Sequence, residues 1–208
     1  MARSPASAES LVEKIRPYIR DERVLAAVAA VPRHLFVPDA LSRFAWENTA
    51  LPIGAGQTIS QPVVVARMCE VLQLTGDERV LDVGTGSGYH AAMLAHVARE
   101  VWSIERKAKL AEQARHNLAA AGVANVHVLV GDGSLGLPEQ APFNAINVAA
   151  AAHEVPPALE EQLAEGGRLV APIDGREQRL LLVRRDGETL ERTYLEPVRF
   201  VPLVGDAD

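Results

Sequence analysis

From Arg79 onward the chain alternates short apolar runs with amphipathic ones, and that rhythm constrains the fold more than any other feature. Apolar runs near Arg79–Val83, Val101–Ile104, Val126–Val130, Phe143–Val148 and Arg168–Pro172 predict strands. Helical spacing near Tyr89–Ala98, Lys107–Ala121 and Pro156–Leu163 predicts the helices between them. Strand and helix in strict alternation build a doubly wound α/β sheet, and near-continuous apolar strands predict cover on both its faces. After Pro172 the runs Arg179–Arg185, Thr189–Pro197 and Val198–Leu203 predict antiparallel strands, with Asp186-Gly187 as a hairpin turn between the first two. Ahead of the sheet, Leu11, Ile15, Tyr18 and Ile19, then Val24, Leu25 and Val28, recur at helical spacing, and Pro17 divides the helical stretch. Val31–Pro38, bounded by prolines, predicts an extended connection, followed by loop up to Pro62 and a helix over Pro62–Leu74.

One strand end carries chemistry. Val80-Leu81-Asp82-Val83-Gly84-Thr85-Gly86-Ser87-Gly88-Tyr89 runs from an apolar strand into alternating glycines, and Glu105 closes the next strand, about 20 residues on. Glycine lets the backbone turn sharply and approach a ligand closely, while a carboxylate at that distance can bind both ribose hydroxyls of a nucleoside. The dinucleotide fingerprint is G-x-G-x-x-G, whereas this loop is Gly84-x-Gly86-x-Gly88, which suits a ligand without a pyrophosphate. S-adenosylmethionine fits: its amino-acid end at the glycine loop, its ribose on Glu105, and its adenine beside Val130-Gly131-Asp132-Gly133, where Asp132 can accept from the adenine amino group. Asp82 ends the first strand and either orients the glycine loop or stabilises the turn from within.

Composition narrows the remaining classes. With 48% hydrophobic residues over 208, residues 1–208 are expected to form a single domain: 1–61 N-terminal helices and a loop, 62–172 the cofactor-binding core, and 173–208 the antiparallel strands. A net charge of −6 argues against a broad grip on nucleic acid. No apolar run matches a bilayer and Met1–Ser10 lacks a secretion signal, so no membrane role and a cytoplasmic location are expected. The single cysteine, Cys69, lies in an apolar helical pattern and reads as a core residue. The six histidines fall in different elements without ligand spacing, so no metal is expected. His90 fits either a cofactor contact or a solvent-facing place in the first helical turn.

A second segment, Leu51-Pro52-Ile53-Gly54-Ala55-Gly56-Gln57-Thr58-Ile59-Ser60-Gln61-Pro62, delivers a polar loop into a helix. Ser60 there suits a helix cap, with Pro62 in the first turn. It equally suits an anion site, because a helix start favours bound negative charge and a hydroxyl can donate to it.

With these residues in view the chain resembles the protein-L-isoaspartate O-methyltransferase family. The likeness is carried by Val31-Pro32-Arg33-His34-Leu35-Phe36-Val37-Pro38, Ala45-Trp46-Glu47-Asn48, Leu51–Pro62, Val80–Tyr89, Trp102-Ser103-Ile104-Glu105-Arg106, Gly131-Asp132-Gly133, Ala141-Pro142-Phe143 and Val198–Leu203, in order over nearly the whole chain. Gly56-Gln57-Thr58-Ile59-Ser60-Gln61-Pro62 is the most specific of them. The resemblance implies a Rossmann-like, seven-stranded class I methyltransferase sheet, mostly parallel with antiparallel C-terminal strands, plus an N-terminal helical extension. It implies transfer of a methyl group from S-adenosyl-L-methionine to the α-carboxylate of L-isoaspartyl residues in damaged proteins and peptides. By resemblance, Ser60 orients the substrate carboxylate, Thr58, Ile59 and Gln61 shape the substrate loop, and Asp82, Gly84, Gly86, Glu105, Asp132 and Gly133 hold the cofactor. A protein-sized substrate needs an open cleft and no coiled-coil heptad is visible, so a monomer is expected.

The chain departs from the family pattern at Asn144, Asn147 and Ala149, where aspartate, an apolar residue and threonine are usual, and at Ser134 and Leu137, where tryptophan is common. Asn147 within an apolar strand requires a hydrogen-bond partner for its amide. These changes leave two alternatives open: a methyltransferase of the same lineage with a dedicated peptide or small-molecule acceptor, and a non-catalytic S-adenosylmethionine-binding regulator.

Overall fold

The computed structural model describes residues 7–205. Two helices open it, α1 (Ala8–Ile15) and α2 (Glu22–Ala30). The Ser7 hydroxyl accepts from the Ser10 amide while the Ser10 hydroxyl satisfies the Ser7 amide, a reciprocal cap, and Asp21 caps α2. The break at Pro17 falls between them, as the proline predicts.

The next stretch is more structured than its prolines suggest. Val31–Pro38 is not extended; Arg33–Phe36 form a 3-10 turn, and Asp39–Phe44 form another. A short antiparallel hairpin follows, β1 (Leu51–Gly54) and β2 (Gln57–Ile59), in place of the expected loop. Prolines at the first position of a tight turn keep their missing N–H out of play, which is why Pro32 and Pro38 start turns here.

Helix α3 (Pro62–Leu72) leads into the sheet: β3 (Arg79–Val83), α4 (Tyr89–Val97), β4 (Glu100–Glu105), α5 (Ala108–Ala120), β5 (Val126–Val130), β6 (Phe143–Val148), α6 (Pro157–Glu161), β7 (Leu163–Ile173), β8 (Arg179–Asp186) and β9 (Thr189–Pro197). The seven strands lie in the order β5-β4-β3-β6-β7-β8-β9, parallel through β7 and antiparallel at β8 and β9. Asp186-Gly187 makes the β8–β9 turn, with Gly187 at φ +60°. Val198–Leu203 is not a further strand. Pro202 makes one bridge, beside Ala151, and a proline cannot sustain a ladder.

The alternation along β3 explains the layering. Val80 packs with the α1–α4 cluster on one face, and Leu81 and Val83 pack with Leu159 of α6 on the other. Cover is incomplete at the β5 edge, where Leu129 is 36% and Val130 50% exposed, so the expectation of two covered faces fails there. An edge strand has only one neighbour to shield it. Because β3 and β6 are neighbours while their flanking strands run outward in opposite directions, the order of the sheet reverses between them, and a crevice opens at their carboxyl ends.

Candidate functional site

A single cleft sits at that reversal. Its walls come from the loops after β3 (Gly84–Ser87), β4 (Glu105–Lys107), β5 (Gly133) and β6 (Ala149, Ala150), from Gln57–Ser60, and from the segment Val201–Val204. The glycine loop is formed by residues that side chains would strain: Gly84 stands at φ +93° and Gly86 at φ +54°. The Glu105 carboxylate holds it, Oε2 accepting from the Gly86 amide and Oε1 from the Lys107 amide, each at 2.9 Å. A carboxylate offers about four acceptor positions, so about two remain for hydroxyl groups of a ligand. Gly133 packs against β3 so closely that a Cβ would lie 2.5 Å from Val83 Cγ1. These features fit a nucleoside cofactor: a bare backbone cradle, a carboxylate with open lone pairs, and apolar walls from Val83 and Ile104.

Ser60 lines the same cleft and does not cap α3. Gln61 is the N-cap residue and makes no side-chain cap; the Asn48 side chain does the capping, its Oδ1 accepting from the Val63 amide at 3.1 Å. Among the described residues the Ser60 hydroxyl has no hydrogen-bond partner within the protein and is therefore available to a ligand. Thr58 and Ile59 line the cleft beside it, whereas Gln61 turns away, its Nε2 donating to the Asn48 carbonyl.

Two other expected cofactor residues stand behind the wall. Asp132 Oδ1 accepts from the Ser134 amide and hydroxyl and so shapes the turn that presents Gly133. Asp82 is fully buried beneath the glycine loop. It lies in register between Ser103 on β4 and Asn147 on β6, and both donate to it at 2.7 Å. Since the Ser103 proton goes to Asp82, Thr85 Oγ1 must donate to Ser103 Oγ, which carries the network into the glycine loop. Burial pushes the Asp82 carboxyl up to about 6, against the opposing pull of those two donors.

Asn147 thus has the partner its setting requires. Its amide also donates to His90 Nδ1, so the His90 ring proton is assigned to Nε2, which has no partner among the described residues. His90 is buried against the cleft wall rather than facing solvent, and burial holds it neutral with a pKa near 3. Asn144 sits at the opposite, amino end of β6 and accepts from the Arg79 amide, away from the cleft. Ala149 lines the cleft and touches the glycine loop; Leu137 packs in the second core cluster. Sequence reasoning gave no site role to the cleft residues Tyr89, Lys107 and Val201–Val204, although Tyr89 and Val201–Leu203 fall within segments that carry the family likeness.

The family profile described as Protein-L-isoaspartate(D-aspartate) O-methyltransferase (PCMT) matches residues 6–208. A protein-L-isoaspartate O-methyltransferase of Aeromonas hydrophila is 54% identical over 191 residues, covering 91% of this chain and 93% of that protein. One from Methanoculleus marisnigri is 54% identical over 189 residues, covering 90% and 86%. A solved protein-L-isoaspartate O-methyltransferase superposes with a TM-score of 0.87 at 31% identity, over 96% of this chain, which spans 66% of the length of that one. A Plasmodium falciparum structure described as a beta-aspartate methyltransferase in complex with S-adenosyl-L-homocysteine gives 0.82 at 27% identity, covering 95% and 98%. By the match of that profile over residues 6–208 and these identities, the chain belongs to the protein-L-isoaspartate(D-aspartate) O-methyltransferase family.

Proposed function

We infer that the chain transfers a methyl group from S-adenosyl-L-methionine to the α-carboxylate of L-isoaspartyl residues in damaged proteins and peptides. One observation carries the reading: the unpartnered Ser60 hydroxyl and the Gly84–Glu105 cradle line a common cleft. The bound cofactor supplies an electrophilic methyl group. The acceptor carboxylate is already ionised at neutral pH, so no side chain need act as a general base. The chain's task is placement. Ser60 donates to one carboxylate oxygen and leaves the other free to react, Thr58 and Ile59 bound its approach, and Glu105 fixes the ribose. Asp82 and Asp132 act through the backbone, by holding the glycine loop and the Gly133 turn. Val201–Val204 close the cleft and help exclude water, which strengthens every polar contact inside.

The placement reading is favoured over a non-catalytic binder because, among the described residues, no protein group hydrogen-bonds the Ser60 hydroxyl where it lines the cleft. We take residues 1–208 as one methyltransferase domain acting as a cytoplasmic monomer on polypeptides, without nucleic acid or membrane partners. The family match over 6–208 and the net charge of −6 support that view, and among the described residues no helix is long and apolar enough to cross a membrane. The test uses methyl-labelled S-adenosylmethionine with matched peptides carrying L-isoaspartate or aspartate. Base-labile methyl ester on the isoaspartyl peptide alone is expected, falling roughly 100-fold in Ser60→Ala as its donor is lost. Cofactor binding without any labelling would reject the reading.

A further inference from the structure

Arg33 is fully buried, yet its partners are all neutral. Nη1 donates to the carbonyls of Ala45 at 2.6 Å and Glu47 at 3.5 Å, and Nη2 to those of Thr49 at 2.9 Å and Ser60 at 3.2 Å. Its Cζ lies 5.5 Å from the centre of the Tyr89 ring, and Tyr89 lines the cleft. Among the described residues no carboxylate pairs with the guanidinium. A buried cation without a counter-ion carries a heavy desolvation penalty, and burial accordingly lowers its pKa to about 10. Apolar packing would fill the space at less cost to the fold, so the charge and the forked donor geometry have some other use.

We propose that Arg33 is the positioning residue of the substrate loop: its guanidinium ties the backbone at Ala45, Thr49 and Ser60 into one arrangement and so fixes where the Ser60 hydroxyl stands. The proposal rests on the repair reading for the identity of the substrate and on the hydrogen bonds alone for the loop. The segment from Ala45 to Ser60 holds only a short hairpin of its own, so these carbonyls have no helix or broad sheet to satisfy them. The planar fork of arginine reaches four carbonyls at fixed angles, which the single ammonium of lysine does not. The uncompensated charge has a second effect. It lies one residue layer behind the site of an anionic acceptor and attracts it. Methyl transfer neutralises that acceptor, so attraction favours the bound carboxylate over the transition state and lowers KM at some cost to kcat, while loop geometry registers in kcat alone.

Arg33→Lys keeps the charge and loses the fork. Its kcat on an isoaspartyl peptide is expected to fall roughly tenfold or more, with KM held within about threefold. Arg33→Met loses both, and KM is expected to rise as well. In Arg33→Ala, millimolar guanidinium restores turnover and ammonium at equal ionic strength does not. Binding of S-adenosyl-L-homocysteine, followed by calorimetry, stays within about threefold in every variant, because none of the hydrogen bonds of Arg33 goes to Glu105 or to the glycine loop. Hydrogen exchange in Arg33→Lys quickens over residues 45–60 and not in β3 or α4, a readout independent of the acceptor. Wild-type kcat in Arg33→Lys with unchanged exchange over 45–60 overturns the proposal, as does a parallel loss of cofactor binding and turnover. A wild-type protein that leaves isoaspartyl peptides unmethylated refutes the repair reading instead, and the exchange experiment still decides the role of Arg33.

Discussion

Replacing Asn147 by leucine, which matches its branched shape, should destabilise the protein by an amount that depends on pH. Asp82 is buried and its carboxyl is raised from an ordinary 3.8 to about 6, chiefly by burial, with the Ser103 and Asn147 donors resisting the rise. A carboxyl raised in the folded state binds more protons there than in the unfolded chain between pH 3.8 and about 6, so stability falls as pH climbs through that window and is level above it. The cost to the wild type is about 3 kcal/mol by neutral pH, at about 1.4 kcal/mol per tenfold change in proton affinity. Loss of the Asn147 amide removes a hydrogen bond worth about 1.5–3 kcal/mol when Asp82 is ionised and about half that when it is protonated. The folded Asp82 pKa therefore moves up by about one further unit, and the falling limb extends to about pH 7. Chemical denaturation of both proteins at pH 4, 6 and 8 gives the stability difference at each pH, and groups common to the two cancel. The penalty at pH 8 is expected to exceed that at pH 4 by about 0.7–1.5 kcal/mol. Equal penalties at the two ends, within about 0.5 kcal/mol, would refute the claim that Asn147 supports an ionised Asp82.

Three further outcomes test the site and its frame. Glu105→Gln replaces one of the oxygens that hold Gly86 and Lys107 and halves the acceptors left for ribose; calorimetry should show S-adenosyl-L-homocysteine bound about 10- to 100-fold more weakly. Gly133→Ala forces a Cβ to 2.5 Å from Val83 Cγ1, and urea denaturation should show a loss of about 1–3 kcal/mol. Cys69 is buried in α3 and its thiol is pushed far above the usual range by burial, so a thiol reagent should label it only after denaturant is added.

The parallel core was legible because its signals are local. Each of β3, β5 and β6 ends where its apolar run ends, and Gly84, Gly86 and Glu105 carry the cofactor signature within one strand–turn–helix unit. The stretch before α3 was harder, because its order comes from elsewhere. Arg33, 12 to 27 residues distant, satisfies the carbonyls of Ala45, Thr49 and Ser60, and Asn48 caps α3 in place of the adjacent Ser60. Val198–Leu203 misled for a related reason. It is apolar enough for a strand, but its backbone is tied piecemeal to Gln178 and Ala151, and it serves as a wall of the cleft.

Asn147 shows the boundary most clearly. By itself the residue is an anomaly in an apolar strand, and no local pattern says what it meets. In the sheet it falls beside Asp82, which falls beside Ser103, so adjacent strands bring into one polar row residues 21 and 65 positions apart, with His90 above them. The sequence alone determined the alternation of strands and helices, the glycine turn and the carboxylate after the second strand, since these depend on propensity and spacing over a few residues. Only the tertiary structure decided that Ser60 is free to meet a ligand, that Arg33 lies buried behind it, and that Asp82 works from beneath the glycine loop. Strand register and helix packing set those distances, and both follow from burying the whole chain together rather than from any one segment.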